Sequence, residues 1–561
     1  MILQCFAATT VLLITGVQSA TDIGTNATTQ LDGFCRRFEH RTTVLNNKLY
    51  LDGGYVNTNP MSSDPTNYTN SLLLYSDLLV TQDGMPKMRS GSGKDSSVPS
   101  VAGGALWADE INQRFYAFGG YFTSSTPSAF QTWTHDELHG LWSNVSTEGD
   151  VMSYVAHGMS AVAPDAGMGY YFGGYHDNET DLGWTAPRLY TSTLVEFDMV
   201  SRKYSNFTGS DGKGRGEGLM VFIPASTSGL LVYFGGVVQE RPGGSVVGEI
   251  WIYDISLRKW YQQNATGEVP DARTRFCGVA AWPDDESSFN IYIYGGLRPD
   301  AENTNGSTAL DDLYILSLPA FVWVKMYPAS NQSQPSFGHH SATCNIINGT
   351  QMIVMGGSFP QTQFCDSPAL YAQHNVDLGE INADKDIWYL FNQDNPPYRL
   401  PIALTKVIGG TDKGGANITA PFTNQTYDKY LFEKEYKVPQ RYPTPITSGT
   451  PPAKQQSNEL SRTALIGAIV GAVMGGICIG IAVFYIVGYM RRRPRKEDKN
   501  PHEKDGKGSG KMVDERMHLE ELEGRERAEL GSESEQRFLG EMWVEPVELE
   551  GERSGGFRGV F

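Results

Sequence analysis

The sequence predicts an all-β ectodomain, a β-propeller of six four-stranded blades with seven as the alternative, followed by one transmembrane α-helix and a disordered tail. Three observations carry this reading. Diglycines that close β-rich runs recur at a near-constant interval, one stretch of 28 residues is free of charge, and every N-x-S/T sequon precedes that stretch. Glycine (62) and tyrosine (28) are also abundant among the 561 residues, which favours strands over helices.

Residues 1–20, MILQCFAATTVLLITGVQSA, read as a secretory signal. An apolar run from Cys5 to Val17 leads to small residues, Ser19 and Ala20, at the cleavage site, although no Lys or Arg precedes it. A leader over 21–34 and the propeller over 35–432 follow. Residues 433–462 carry Pro439, Pro443, Pro445, Pro451 and Pro452 and read as a semi-extended stalk. The charge-free stretch is Thr463 to Met490. At helical rise it exceeds the roughly 30 Å of a hydrocarbon layer. RRRPRK (491–496) follows at once, so the positive-inside rule puts the 491–561 tail in the cytoplasm. The expectation is a single-pass type I protein of the plasma membrane.

The sequons lie at Asn26, Asn67, Asn144, Asn178, Asn206, Asn264, Asn305, Asn331, Asn348, Asn417 and Asn424, all on the predicted lumenal side. Cys5 belongs to the signal and Cys478 to the membrane segment, leaving Cys35, Cys277, Cys344 and Cys365 in an oxidising compartment. Three pairings are open. Cys344–Cys365 is favoured because both flank one diglycine hairpin, with Cys277 as a free buried thiol the alternative for that residue.

The diglycines end at Gly54, Gly120, Gly174, Gly236, Gly296 and Gly357, at intervals of 66, 54, 62, 60 and 61 residues. Each unit repeats one order. A strand of small or apolar residues (HRTTVL, AHGMSAVA, EGLMVFI, CGVAAW, HHSATC) precedes the aromatic strand that ends in GG. After a polar loop comes a third strand (LVEFDM, EIWIYDI, DDLYILSL, DIWYLF) and then a fourth with an early aromatic (LWSNV, RKYSNF, RKWYQQ, VWVKMY). Four short strands repeated about an axis make propeller blades. The first unit lacks a fourth-strand Trp, the sixth has NPPYRLP in that place, and RLPIALTKVIGG (399–410) is expected to close the ring or to form a degenerate seventh blade.

This order resembles the kelch motif over about residues 35–395. The whole layout, through CRRFEH, MGGSFP and CDSPALYAQHNVDLG, resembles fungal-type single-pass membrane proteins with a galactose oxidase/kelch propeller ectodomain. The resemblance implies either a binding scaffold or, less well supported, a copper-radical oxidase. An oxidase needs two His and two Tyr on copper, one Tyr cross-linked to Cys. Here Tyr175-His176 is the adjacent Tyr-His pair and Cys277 the candidate thiol, without the arrangement.

His40, His157 and His340 are read as one recurring first-strand position whose imidazole bonds a neighbouring blade, and His339 as facing the other way from His340. No metal site, cofactor or catalytic residue is predicted. SGSGKDSS (90–97) and GKGRGEG (212–218) lack the strand–helix setting of a phosphate loop. The net charge of −18 argues against a nucleic-acid binder, since phosphate contacts need a basic face.

What remains is a binding face. Loops after strands two and four emerge together, and the post-GG loops (55–71, 121–131, 175–189, 297–309, 358–384) are the longest. Tyr55, Tyr68, Tyr121, Tyr175, Trp184 and Phe359 are the candidate ligand contacts, for an extracellular glycan or a protein. Asn144, Asn206, Asn264 and Asn331 recur at fourth strands and would form a skirt of glycans. Gly467, Gly471 and Gly475 make a close-packing stripe that suits a homodimer. From Arg491 to Lys511 the tail holds nine Lys/Arg against four Asp/Glu, then six against fourteen from Met512 on, and RFLGEMWVEPVEL (537–549) is a candidate docking motif for a cytoplasmic partner of unknown identity. The function expected is non-catalytic recognition at the cell surface, of wall polysaccharide or a protein, with a propeller-based oxidase or a structural wall-to-membrane anchor as alternatives.

Overall fold

The computed structural model describes residue 31 and residues 33–444, apart from 92–93, 240–248, 300–306, 329–336, 360–361, 382–386, 395 and 429. The signal segment, nearly all of the leader, the second part of the stalk, the apolar stretch 463–490 and the tail lie outside the described residues, as do Asn26, Asn305 and Asn331. Among the described residues no helix is long and apolar enough to cross a membrane.

The described chain is all-β with one short α-helix. Six antiparallel sheets follow one another. The first is Arg41–Leu45, Lys48–Asp52, Leu73–Gln82 and Met85–Ser90; the second is Ala105–Asp109, Arg114–Phe118, Thr132–Asp136 and Leu141–Val145. The third is Met159–Ala163, Met168–Phe172, Thr193–Asp198 and Lys203–Thr208, with Glu148–Gly149 added in parallel at its outer edge. The fourth is Leu219–Ile223, Leu230–Phe234, Glu249–Asp254 and Lys259–Asn264. The fifth is Cys277–Ala281, Phe289–Tyr294, Leu313–Leu318 and Val322–Tyr327, edged in parallel by Thr266–Gly267. The sixth has three strands, Thr343–Ile347, Gln351–Met355 and Gln373–Asp377. First strands of successive sheets touch in order, and that of the sixth touches that of the first, so the ring is closed.

The burial pattern explains the residue types. Second strands such as RFYAF, LLVYF and FNIYIY are buried at every position, because each sheet is sandwiched between two others. Each fully buried aromatic or aliphatic side chain contributes about 1.5–3 kcal/mol. Outer strands alternate instead, as in KYSNFT and KWYQQN, with one face in water. Asn144, Asn206 and Asn264 lie on that exposed outer face.

The diglycines join sheets. Gly173 and Gly174 both have positive φ (70° and 88°), and the Gly174 N–H donates to Arg215 O at 2.8 Å, in the strand entering the next sheet. A Cβ on Gly173 would stand 2.1 Å from that same carbonyl, so only glycine permits the approach. Equivalent bonds run from Gly54 to Val101, Gly120 to Val155, Gly236 to Arg273, Gly296 to His339 and Gly357 to Arg37.

Four expectations are corrected. In the sixth sheet the third strand is Gln373–Asp377; the described part of DIWYLF, 387–391, runs outside it, where the Tyr389 N–H donates to Asn375 O at 2.8 Å. The stretch 399–410 forms no strand: Ile402–Ile408 is an α-helix whose Leu404 and Ile408 pack into the core between the fifth and sixth sheets. Cys344 does not bond Cys365. The disulfides are Cys35–Cys365 and Cys277–Cys344, the first tying the N-terminal strand Phe34–Phe38 to the last post-GG loop, the second tying the fifth first strand to the sixth. Cys277 is therefore no free thiol. Closing the ring brings together residues 330 apart in sequence, which hairpin proximity could not anticipate.

Residues 411–444 run back over the hairpin turns that join first and second strands. Gly415 N–H donates to Asp285, Ala225 bridges Glu435, Arg441 pairs with Asp109 at 2.8 Å, and Thr444 N–H donates to Asn112. Tyr427 and Leu431 join the buried core of the fourth and fifth sheets. Residues 433–444, expected as stalk, are thus docked as a strap. It occupies the face opposite the post-GG loops, because strands alternate in direction.

Candidate functional site

The centre of the post-GG face is built from one residue before each first strand. Glu39, Gly103, His157, Glu217, Arg275 and Ser341 all have left-handed φ, between 53° and 64°. Their backbones form a closed belt. Gly103 N–H donates to Glu39 O, His157 to Gly103, Glu217 to His157, Arg275 to Glu217, Ser341 to Arg275 and Glu39 to Ser341, at 2.7–3.0 Å. Each amide spans the axis-proximal gap between adjacent sheets, so the belt fixes where five side chains emerge, Gly103 having none.

Those side chains form a charged plug. The Arg275 guanidinium donates to Glu39 Oε1 at 2.7 Å and to Glu217 Oε2 at 3.1 Å. Tyr121 Oη donates to Glu39, and Tyr190 Oη to Glu217 at 3.2 Å. His157 Nε2 lies 3.6 Å from Glu39 Oε2. Although burial opposes it, the His157, Arg275 and Tyr121 contacts hold the Glu39 carboxyl well below the usual carboxylate range. Glu217 is lowered by Arg275 and His157 against the same burial. Burial and Glu217 push Tyr190 up to about 12, so its hydroxyl stays a donor.

Three of the predicted aromatics meet here. Tyr55 lies 6.3 Å from Tyr121, and Tyr121 and Tyr175 stack on either side of His157 at 5.8 and 5.7 Å. Tyr121 and Tyr175 are buried, the latter beneath Arg188, whose guanidinium sits 3.7 Å above the ring and bonds Asp177. They support the mouth and offer no open ring face. The other three lie apart. Tyr68 donates to Asp64 at 2.9 Å, Trp184 stacks on His176 at 5.8 Å, and Phe359 is buried between Arg36 and His339.

The three histidines do not share a position. His157 is a belt residue, His40 follows belt residue Glu39 and His340 precedes belt residue Ser341. His40 does bond a neighbouring sheet, through Nε2 to Thr343 Oγ1 at 3.1 Å, and burial pushes it down to about 3. His340, lowered to about 4 by burial and Arg275, reaches Ser341. Sequence reading missed Glu39, Glu217 and Arg275. Comparing the units at the residue entering each first strand, instead of counting back from GG, would have found them. For the oxidase alternative, the Cys277 sulfur is bonded to Cys344 and is not available to cross-link a tyrosine.

A second cluster went unpredicted. His339, Asp366 and His374 are all buried, with one ligand-type atom from each lying within 4.8 Å of the others. His374 Nε2 is 2.7 Å from Asp366 Oδ1, and His339 Nε2 is 3.6 Å from Asp366 Oδ2. His339 Nδ1 meets Tyr294 Oη at 3.1 Å, and that hydroxyl donates to Asp311. Despite burial, the two imidazoles hold Asp366 far below its ordinary value, while burial pushes Asp311 up. His339 does face away from His340; its partners come from the post-GG loop and from the strand Gln373–Asp377.

Repeated diglycine staples, a closed ring of sheets and a loop-built mouth define the class: a kelch-type propeller scaffold. The profile of the KLHDC2/KLHL20/DRC7 Kelch-repeats domain matches residues 39–296 and 105–357, together more than half of the 561 residues. The chain belongs to the kelch-repeat family. It is similar to a "Kelch repeat-containing protein" of Arthroderma benhamiae, 28% identical over 451 residues, 69% of this chain and 65% of the relative, so that it spans about two thirds of that protein's length. Among solved structures it resembles the one titled "Structure of YjhT", with a TM-score of 0.42 and 14% identity over 58% of this chain and 91% of that one.

Proposed function

We propose that the chain is a six-bladed kelch propeller that recognises an extracellular protein, without catalysis, through its post-GG face. The observation that carries this is the makeup of that face. Leu182, Leu189, Phe337 and Phe364 are exposed on its loops around a charged plug, while Tyr121 and Tyr175, the aromatics nearest its centre, are buried. Exposed apolar side chains with a polar surround suit a protein partner. The opposite face is occupied by the strap. Kelch membership agrees with an interaction role.

The rest of the proposal concerns the setting. A signal segment, an apolar stretch at 463–490 and a basic flank would make the protein a single-pass type I protein of the cell surface, with Gly467, Gly471 and Gly475 as a dimer stripe and the tail as a cytoplasmic adaptor. All described sequons are exposed, which suits a glycoprotein whose outer strands carry the glycans. The test uses the full-length chain displayed on cells. Leu182→Asp with Phe364→Asp should abolish crosslinking to a surface protein and leave the melting temperature unchanged. Unimpaired crosslinking, binding confined to a glycan array, or copper-dependent sugar oxidation by the wild type would overturn the reading.

A further inference from the structure

We infer that His339, Asp366 and His374 form a binding site for a divalent first-row cation of the zinc class, which locks the last post-GG loop where the ring closes.

The argument rests on where protons and lone pairs go. Tyr294 has one hydroxyl proton and gives it to Asp311, so at His339 Nδ1 it accepts. That fixes a proton on Nδ1 and, in the neutral ring that a bound cation requires, leaves Nε2 as a bare lone pair. Nε2 and Asp366 Oδ2 then face each other at 3.6 Å, both buried and neither with a hydrogen-bond partner among the described residues. Two buried acceptors turned toward one another cost free energy unless a positive centre lies between them.

The donor set and its surroundings fit a cation. Two imidazoles and a carboxylate suit zinc, whose bonds of about 2.0–2.2 Å put neighbouring ligand atoms about 3.3 Å apart. The observed 3.6 Å is close to that, His374 would draw back from its 2.7 Å contact by about half an ångström, and the set, which spans up to 4.8 Å, would contract onto the ion. The chain from His339 through Tyr294 to Asp311 is the outer support that orients a ligating imidazole and raises its basicity. Arg36 and Arg37 are nearby cations, and among the described residues neither bonds the Asp366 oxygens; Arg36 is turned to the loop backbone instead. Its guanidinium donates to the carbonyls of Phe359, Thr362 and Phe364 and so pins the loop that carries Asp366.

The three ligands come from three segments. His339 enters the sixth sheet, Asp366 sits in the loop after its diglycine next to the Cys35–Cys365 bond, and His374 lies on its third strand. A cation would hold the loop to the sheet from within, beside the exposed Phe337 and Phe364.

The test uses the full-length chain, purified without a polyhistidine tag, stripped with a chelator and titrated with zinc and then cobalt chloride. One ion per chain should bind saturably, and zinc should raise the melting temperature. Cobalt absorption spectroscopy should show a nitrogen- and oxygen-ligated ion, with two imidazoles in its X-ray absorption fine structure. His374→Gln and Asp366→Asn should each weaken binding about 100-fold or more. The wild-type arms decide the matter should a variant not fold. No saturable one-to-one binding, a shell without two imidazoles, or binding undiminished in a folded His339→Gln/Asp366→Asn double variant would overturn the inference.

Discussion

At the scale of single residues, the belt makes ordinary chemistry position-specific. The Glu39 side chain, 8% exposed, is held between Arg275, Tyr121 and His157, so its charge is answered from three sides. Glu39→Gln preserves shape and removes that charge, leaving Arg275 with only Glu217. The expected cost near neutral pH is about 1–3 kcal/mol. Its folded pKa lies below the ordinary 4.5, so the charged form favours the folded state. The contribution is present above about pH 4.5 and is lost as pH falls through the lower, folded value. Urea denaturation at stepped pH should therefore show the wild type's advantage over the variant shrinking in acid. A constant gap would rule out the assignment. The cause of the misread histidine register also lies at this scale. From belt residue to second glycine is 15 residues at Glu39 and 21 at Arg275, because the intervening hairpins differ in length. Counting from glycine cannot hold register across that spread. Glycine positions themselves were legible, since the doublet recurs in the sequence with a period, whatever contact demands it.

Among elements, the aromatic strand with its terminal diglycine joins neighbours. It buries side chains on both faces, and its glycines let a carbonyl of the next sheet approach. Gly173→Ala has to force a left-handed alanine, about 1–2 kcal/mol, against Arg215 O at 2.1 Å, and strain a bond worth about 1 kcal/mol more. Gly212 has a similar φ of +74° with nothing within 4 Å of its would-be Cβ, so Gly212→Ala should cost about 1 kcal/mol. Chemical denaturation of the two variants should separate them by about 1–2 kcal/mol. Equal losses would mean that the diglycine acts only through its own turn. The same elements show why part of the fold was legible and part was not. Four-strand order repeats with a period, so it could be read without knowing contacts. DIWYLF has the composition of a third strand, but QHNVD, with little β-pattern of its own, takes that place because His374 and Gln373 have partners there. Similarly, Ile402–Ile408 gains its buried face only from the core it caps.

At the scale of the whole molecule, three devices hold the ring: the amide belt at the axis, the strap over the turns of the second to fifth sheets, and the Cys35–Cys365 bond at the junction of first and last sheets. The strap and the disulfide were not legible, because both depend on which distant parts the closed ring brings together. They can be ranked by experiment. In the chain-entropy account a disulfide stabilises by limiting the unfolded ensemble, and more so for longer loops. Cys35–Cys365 spans 330 residues and Cys277–Cys344 spans 67. Replacing the first pair by serines should cost about 1 kcal/mol more than replacing the second, within the usual range of about 2–5 kcal/mol for a native bond. Its loss should also expose Phe34–Phe38, whose partners are Tyr55–Thr58 and the Gly357 amide, to early proteolysis. Guanidinium melts under non-reducing conditions, with timed proteolysis of the N-terminal strand, measure both. If the long-span pair proves no costlier and the strand stays protected, belt and strap alone hold the ring shut. The covalent clasp would then serve the last post-GG loop, which carries Asp366, and not the closure of the fold.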